Sequence, residues 1–205
     1  MEDEKLYECK IITLGDSQVG KTCLIYRFCE ETFVDTYLST IGLDSKVKFV
    51  TLDNNRKIKL VIHDTAGQER FKSISANYIK KADGILMVYD ITNKQSFVNI
   101  ENWIKTAQEE MKKKIPIYLI GNKADLEDER IITQENGENL SEEYNLKFYE
   151  TSCKTGANIE ECFMDMANEL YNIMDEKFNK NKKESKDNSE SLQIEKKGGK
   201  KKKCC

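Results

Sequence analysis

Gly15-Asp16-Ser17-Gln18-Val19-Gly20-Lys21-Thr22 decides how the rest of this 205-residue chain is read. The stretch fits G-x-x-x-x-G-K-[ST]. The glycines let a loop curl tightly, so that successive backbone N–H groups point inward at phosphate oxygens. The helix that follows adds its positive N-terminal end. Lys21 places a cation on the β and γ phosphates, and the Thr22 hydroxyl can ligate Mg²⁺. The candidate phosphate-binding set is therefore Gly15, Ser17, Gln18, Val19, Gly20, Lys21, Thr22 and Cys23.

The loop's neighbours agree with it. CKIITLG before it reads as a short buried strand, and KTCLIYRFCEE after it has Leu24, Ile25 and Phe28 at helical spacing. Farther on, KVKFVTL and KIKLVIH alternate with period two around a DNN turn, which predicts a β-hairpin. GILMVYDI, IPIYLIG and LKFYETS are three more strands. QSFVNIENWIKTAQEEM predicts a helix with Thr92 and Gln95 as its capping box. Helices are also expected over Thr133–Tyr144 and from Asn158 to about Lys180. Strands alternating with helices predict an α/β fold of the P-loop NTPase type. Its sheet should be doubly wound, six-stranded and mostly parallel, with helices on both faces.

Three further motifs stand at predicted strand ends. Asp64-Thr65-Ala66-Gly67-Gln68-Glu69 follows KIKLVIH. Asp64 can reach a metal through water, Gly67 can offer its N–H to a γ-phosphate, and the uncharged Gln68 can orient an attacking water. Asn122-Lys123-Ala124-Asp125 follows IPIYLIG. A carboxylate at Asp125 accepts from N1–H and the exocyclic amine of guanine, a donor pair that adenine lacks. Thr151-Ser152-Cys153-Lys154 closes the sixth strand. All four motifs fall on one edge of the predicted sheet, where such folds bind ligands.

With these residues in place, the chain resembles the Ras-like small GTPases, and within them the Rab branch, of secretory or exocytic type. The resemblance covers roughly residues 7–177 and the last two residues. Its Rab-like details are YLSTIGLD around Thr40, QERFKSI after Gln68, MVYDIT, and the terminal Cys204-Cys205. The resemblance implies a GDP/GTP switch that hydrolyses GTP and regulates vesicle trafficking. It implies that Thr22, Thr40 and Asp64 serve the Mg²⁺ ion and that Gln68 positions the water. Phe33 packs against the guanine edge and Tyr37 lies over the phosphates. Lys123 and Lys154 flank the base, while Ser152 and the Cys153 N–H support its pocket. No Arg matches a built-in arginine finger, so an activating protein would supply that charge. Unaided turnover is expected on the order of 10⁻⁴ per second, as in Ras.

The implied partners are an exchange factor, a GTPase-activating protein, a GDP-dissociation inhibitor, a prenylation escort, and effectors that read switch I (about 33–45) and switch II (about 64–78). The effector surface departs from the Rab pattern. Ser45 stands where Phe is usual and His63 where Trp is usual, next to the aromatic Tyr78, and NYIKKA replaces YYRGA. His63 reads as a strand residue covered by the switches rather than a base, and Gln18 as a side chain pointing to solvent.

Charge separates body from tail. Lys177 to Cys205 holds 11 Lys against 4 acids, or +7; the remainder holds 22 Lys and Arg against 32 acids, or −10. The expected organisation is a GTPase domain over 1–178 and a disordered basic tail over 179–205. Lys200 to Lys203 and the Cys204-Cys205 pair read together as a double prenylation site next to an anionic leaflet. The localisation this implies is the cytoplasmic face of intracellular membranes, cycling with cytosol, as a monomer.

Composition excludes several classes. One His argues against sites that need several imidazoles. No apolar run reaches 18 residues, and MEDEKLYECK lacks the apolar core of a secretory leader. Seven cysteines without a CxxC pair read as reduced thiols, with Cys9, Cys23, Cys29, Cys153 and Cys162 as core or loop residues. The acidic body argues against nucleic acid. A nucleotide-locked adaptor that never cycles is the alternative of the same fold.

Overall fold

Period-two and continuous apolar runs fold into a six-stranded sheet in the computed structural model, which describes residues 6–32, 44–52, 55–65 and 72–198, with only the backbone for 72–75, 181 and 183–198. The strands are β1 (Tyr7–Leu14), β2 (Asp44–Thr51), β3 (Lys57–Asp64), β4 (Gly84–Asp90), β5 (Ile117–Asn122) and β6 (Lys147–Thr151). Their spatial order is β2-β3-β1-β4-β5-β6. Only the β2–β3 hairpin is antiparallel. Its turn closes through Leu52 N–H on Arg56 O and Asn55 N–H on Leu52 O, with Asn55 left-handed at φ 64°. The strand order reverses between β1 and β4, which is where a doubly wound sheet opens a crevice.

Six α-helices are described: α1 (Lys21–Glu30), α2 (Lys72–Ile79), α3 (Lys94–Val98), α4 (Ile100–Glu110), α5 (Gln134–Tyr144) and α6 (Ile159–Gly198). One face of the sheet buries Ile12, Leu14, Met87, Tyr89 and Leu119 against Ile79, Ile100, Trp103, Ile104 and Leu140 of α2, α4 and α5. On the other face Phe28 of α1 stacks on Phe163 of α6 at 4.0 Å between centroids. Each strand serves both faces because its successive side chains alternate.

Two local expectations change. The predicted single helix from Gln95 is two, α3 and α4, and its cap is Asn93 rather than Thr92. The Asn93 side chain accepts from the Gln95 and Ser96 amides at 2.9 and 3.2 Å. Thr92 is diverted: its hydroxyl and N–H both donate to Asp90 Oδ1, at 2.7 and 2.8 Å. A buried carboxylate outcompetes a cap that the next residue supplies equally well. At α5 the reciprocal cap is present, between Thr133 and Asn136.

The chain falls into two compact units, Met1–Leu170, which holds the sheet, and Tyr171–Cys205. Helix α6 runs to Gly198, past Asn179, where composition predicts unstructured chain. The sole Pro is Pro116, so nothing in that stretch removes a backbone donor. No helix among the described residues is long and apolar enough to cross a membrane.

Gly137 lies inside α5, where Ala would ordinarily raise helix stability by about 1 kcal/mol. Here a Cβ would meet Phe148 Cζ (2.4 Å) and the Tyr89 hydroxyl at 2.7 Å. Gly137→Ala is therefore expected to lower unfolding free energy by about 1–3 kcal/mol in urea titration; a rise would show that α5 is free to shift away from β6.

Candidate functional site

The C-terminal ends of β1, β3, β5 and β6 bring the four motifs to one edge. β1 delivers the chain to Gly15, and α1 leaves from Gly20 as its N-cap. Both glycines are required by space and by φ. Gly15 has φ 138°, and a Cβ there would sit 2.1 Å from Val88 O. Gly20 has φ 99°, and a Cβ there would sit 2.2 Å from Asn122 Nδ2. The loop thus lies directly against the ends of β4 and β5. Gln18 is also left-handed, at φ 65°, and its side chain is exposed.

Inside the loop Lys21 Nζ donates to Gly15 O at 3.0 Å and Asp16 O at 2.5 Å. Burial pulls its amine down to about 8, while the Asp64 and Asp16 carboxylates oppose that shift. The Thr22 hydroxyl donates to Asp64 Oδ2 at 2.5 Å, which joins the start of α1 to the end of β3. This pair tests the fit of a divalent cation. Both donors are hard oxygens, and Mg²⁺ is held by one or two such protein groups together with water and phosphate. The pair fits.

Asn122 is 1% exposed and staples the third motif to the first. Its Nδ2 donates to Val19 O at 2.8 Å, and its Oδ1 accepts from the Thr151 hydroxyl at 3.2 Å and the Cys153 thiol at 3.4 Å. Ser152 Oγ donates to Asp125 Oδ1 at 2.6 Å and accepts from Thr155 N–H, so the carboxylate is aimed by the sixth strand's loop. Burial pushes the Cys153 thiol up to about 12, with neighbouring Cys23 and Asp125 adding to the shift. Cys153 is therefore a neutral, buried thiol, and Cys9 and Cys162 are buried too. Lys154 is exposed.

Sequence reasoning passed over Asp90. Its Oδ2 pairs with Lys123 Nζ at 2.5 Å and holds that lysine beside the third motif, where Lys123 itself is left-handed at φ 69°. The signal was present, since Asp90 ends the apolar run GILMVY, and an Asp closing a buried strand needs a partner.

Phe33, Tyr37, Thr40, Gly67, Gln68, Cys204 and Cys205 lie outside the described residues, and so do the side chains of Ser73 and Ser75. The residues bordering switch II are described. His63 pairs with Ser45 across the hairpin, and its ring lies 5.0 Å from that of Tyr78. The three positions of the divergent triad are therefore adjacent. His63 Nδ1 is buried with no hydrogen-bond partner, and burial, then Lys10, lowers its proton affinity.

A doubly wound sheet whose first loop curls around a buried lysine and whose fifth strand leads into a carboxylate aimed by Ser152 defines a P-loop nucleotide-binding protein. A family profile described as the Ras family matches residues 10–172. The chain is 47% identical over 173 residues to Ras-related protein Rab-8B of Homo sapiens, covering 84% of this chain and 83% of that protein. It is 46% identical over 175 residues to Ras-related protein Rab-8 of Diplobatis ommata, covering 85% and 83%. It is 43% identical over 189 residues to Ras-related protein Rab-8A of Rattus norvegicus, covering 92% and 91%. The chain belongs to the Ras family, within its Rab branch of small GTPases.

The low proton affinity of Lys21 gives the site a pH dependence. Phosphate oxygens on this amine favour its charged form, so nucleotide binding takes up a proton wherever the free amine is neutral. Affinity for GDP should stay level below about pH 8 and fall above it, by at most about tenfold per pH unit. Dissociation constants at fixed Mg²⁺ across that range check this; a level profile well above pH 8 would mean that Lys21 does not face the phosphates.

Proposed function

We propose the following division of labour for a Rab-type small GTPase that hydrolyses GTP and acts in vesicle trafficking. The Thr22–Asp64 contact of 2.5 Å carries the reading, because it brings the phosphate-loop hydroxyl and the switch II carboxylate to one point at the sheet edge. Gly15, Ser17, Gln18, Val19, Gly20 and Cys23 present backbone N–H groups to the phosphates, and Lys21 neutralises the β and γ oxygens. Thr22 and Asp64, with Thr40, would hold Mg²⁺, which supplies further neutralisation of phosphate charge. Asn122, Lys123, Asp125, Ser152, Cys153 and Lys154 hold the base, with Phe33 at its edge and Tyr37 over the phosphates. Asp125 selects guanine.

Hydrolysis needs a water in line with the γ-phosphorus. Gln68 orients that water without adding negative charge, and Gly67 donates its N–H to the γ-phosphate. A bond forms from the water oxygen to phosphorus, and the bond from phosphorus to the β–γ bridging oxygen breaks. GDP and phosphate result, and the water's proton leaves with the phosphate. Without a built-in arginine finger, the chain turns over slowly until an activating protein supplies one. The delay holds both switches in one state long enough for effectors to read it.

Exchange factors, activating proteins, GDP-dissociation inhibitor and effectors are the partner classes of the family. For this chain the hypervariable segment over 179–205 is the membrane arm. Prenyl chains on Cys204 and Cys205, with Lys200 to Lys203, give the two signals that stable anchoring requires. The protein then sits on the cytoplasmic face of intracellular membranes and cycles through cytosol as a monomer, without nucleic acid.

Two variants test these roles. Gln68→Leu should keep GDP and GTP affinity near native and slow single-turnover hydrolysis at least about tenfold; unchanged phosphate release would falsify the role of Gln68. Replacing Cys204 and Cys205 by Ser should move the full-length protein into the soluble fraction of a cell lysate, and continued pelleting with membranes would sink the anchor.

A further inference from the structure

Asp16 occupies a variable position of the phosphate-loop motif, and nothing above gives it a task. Its carboxylate stands beside a loop built to bind phosphates, where a negative charge opposes the ligand. Both of its oxygens are nevertheless engaged from outside the loop. Trp103 Nε1 donates to Oδ1 at 3.0 Å, and Asn99 Nδ2 donates to Oδ2 at 2.7 Å. These donors are held rigidly. Trp103 is the only Trp of the chain, is 7% exposed, and belongs to the core cluster with Ile79, Ile100 and Ala107. Asn99 sits where α3 ends and α4 begins; its amide oxygen accepts from Gln95 Nε2 at 2.9 Å, which fixes which end of the amide faces Asp16.

The same residue is gripped from inside. Its backbone carbonyl takes Lys21 Nζ at 2.5 Å, next to the Gly15 carbonyl at 3.0 Å. Side chain and main chain of Asp16 thus have separate partners, Asn99 and Trp103 at the start of α4 for one and the phosphate-loop lysine for the other. Moving the carboxylate moves the carbonyl that orients Lys21. We propose that Asp16 is a positioning residue: latched by Asn99 and Trp103, it holds the phosphate loop in its nucleotide-ready curve and slows GDP release. The inference rests on the nucleotide site described above. The hydrogen bonds to a charged acceptor offset the adverse charge and make the latch stronger than neutral bonds would be.

GDP release from the purified full chain, followed with a fluorescent GDP analogue, tests this. Trp103→Phe keeps the charge of Asp16 and most of the ring packing but removes one donor. Release should quicken about tenfold, the size of one hydrogen bond to a charged group. Asn99→Asp sets carboxylate against carboxylate and should quicken release at least as much. Asp16→Asn combined with Asn99→Asp reverses donor and acceptor and rebuilds both bonds. That double variant should return to within about twofold of the parent protein, the coupling expected of contacting residues. A helix-packing role alone would lower thermal stability without this rescue. If the two single variants release GDP at the parental rate, or the double variant is no slower than Asn99→Asp, the latch does not exist. If Trp103→Phe does not fold, the Asn99→Asp and double variants decide. A parent protein that retains no GDP would overturn the nucleotide site itself, and the latch with it.

Discussion

The phosphate loop lies so close to β4 and β5 that a single methyl group at Gly15 or Gly20 would collide with Val88 O or Asn122 Nδ2. Much else at the sheet edge follows from that approach. It lets Asn122 reach Val19 O, and it lets the Thr151 hydroxyl and Cys153 thiol reach the other end of the same amide. Three of the four motifs are thereby joined through one buried side chain. Buried amides are costly unless every group is satisfied, and here each bond forms only if the loop keeps its distance. The glycines are therefore a packing requirement as much as a conformational one.

Charge is placed by the same economy. Lys21 is buried, and its amine is surrounded by the carbonyls of Gly15 and Asp16 rather than by a carboxylate in contact. Lys123 is paired with Asp90, and Arg130 grips Glu150 through two bonds of 2.6 and 2.9 Å, tying the loop after β5 to β6. Lys123 and Arg130 are thus neutralised by acids, whereas Lys21, the cation proposed to meet phosphate, has carbonyl partners. A carbonyl is displaced by phosphate more readily than a carboxylate would be.

The hairpin surface shows how the fold can be kept while its reader changes. Ser45 and His63 face each other across β2 and β3, beside Tyr78, in the places where the family usually has large apolar groups. His63 directly precedes Asp64 in β3, so this surface borders the Thr22–Asp64 pair at the sheet edge. His63 is turned so that Nδ1 is buried without a partner, which leaves the surface less apolar without providing a satisfied polar contact.

Much was legible in the chain alone. The six strands, the hairpin and the order of the motifs follow from period, turn residues and fixed offsets, all of which are local. The four motifs are recognisable because the phosphate, cation and guanine contacts proposed for them each demand particular atoms at short spacing along one loop. The tertiary structure decided what depends on distant partners. Thr92 was taken from its expected cap by Asp90. Lys123 found Asp90. Asp16, Asn99 and Trp103 met across more than eighty residues of chain. The physical reason is range: a hydrogen bond or steric limit between residues close in sequence leaves a pattern that can be read, while one closed by the fold leaves none until the sheet has brought its ends together.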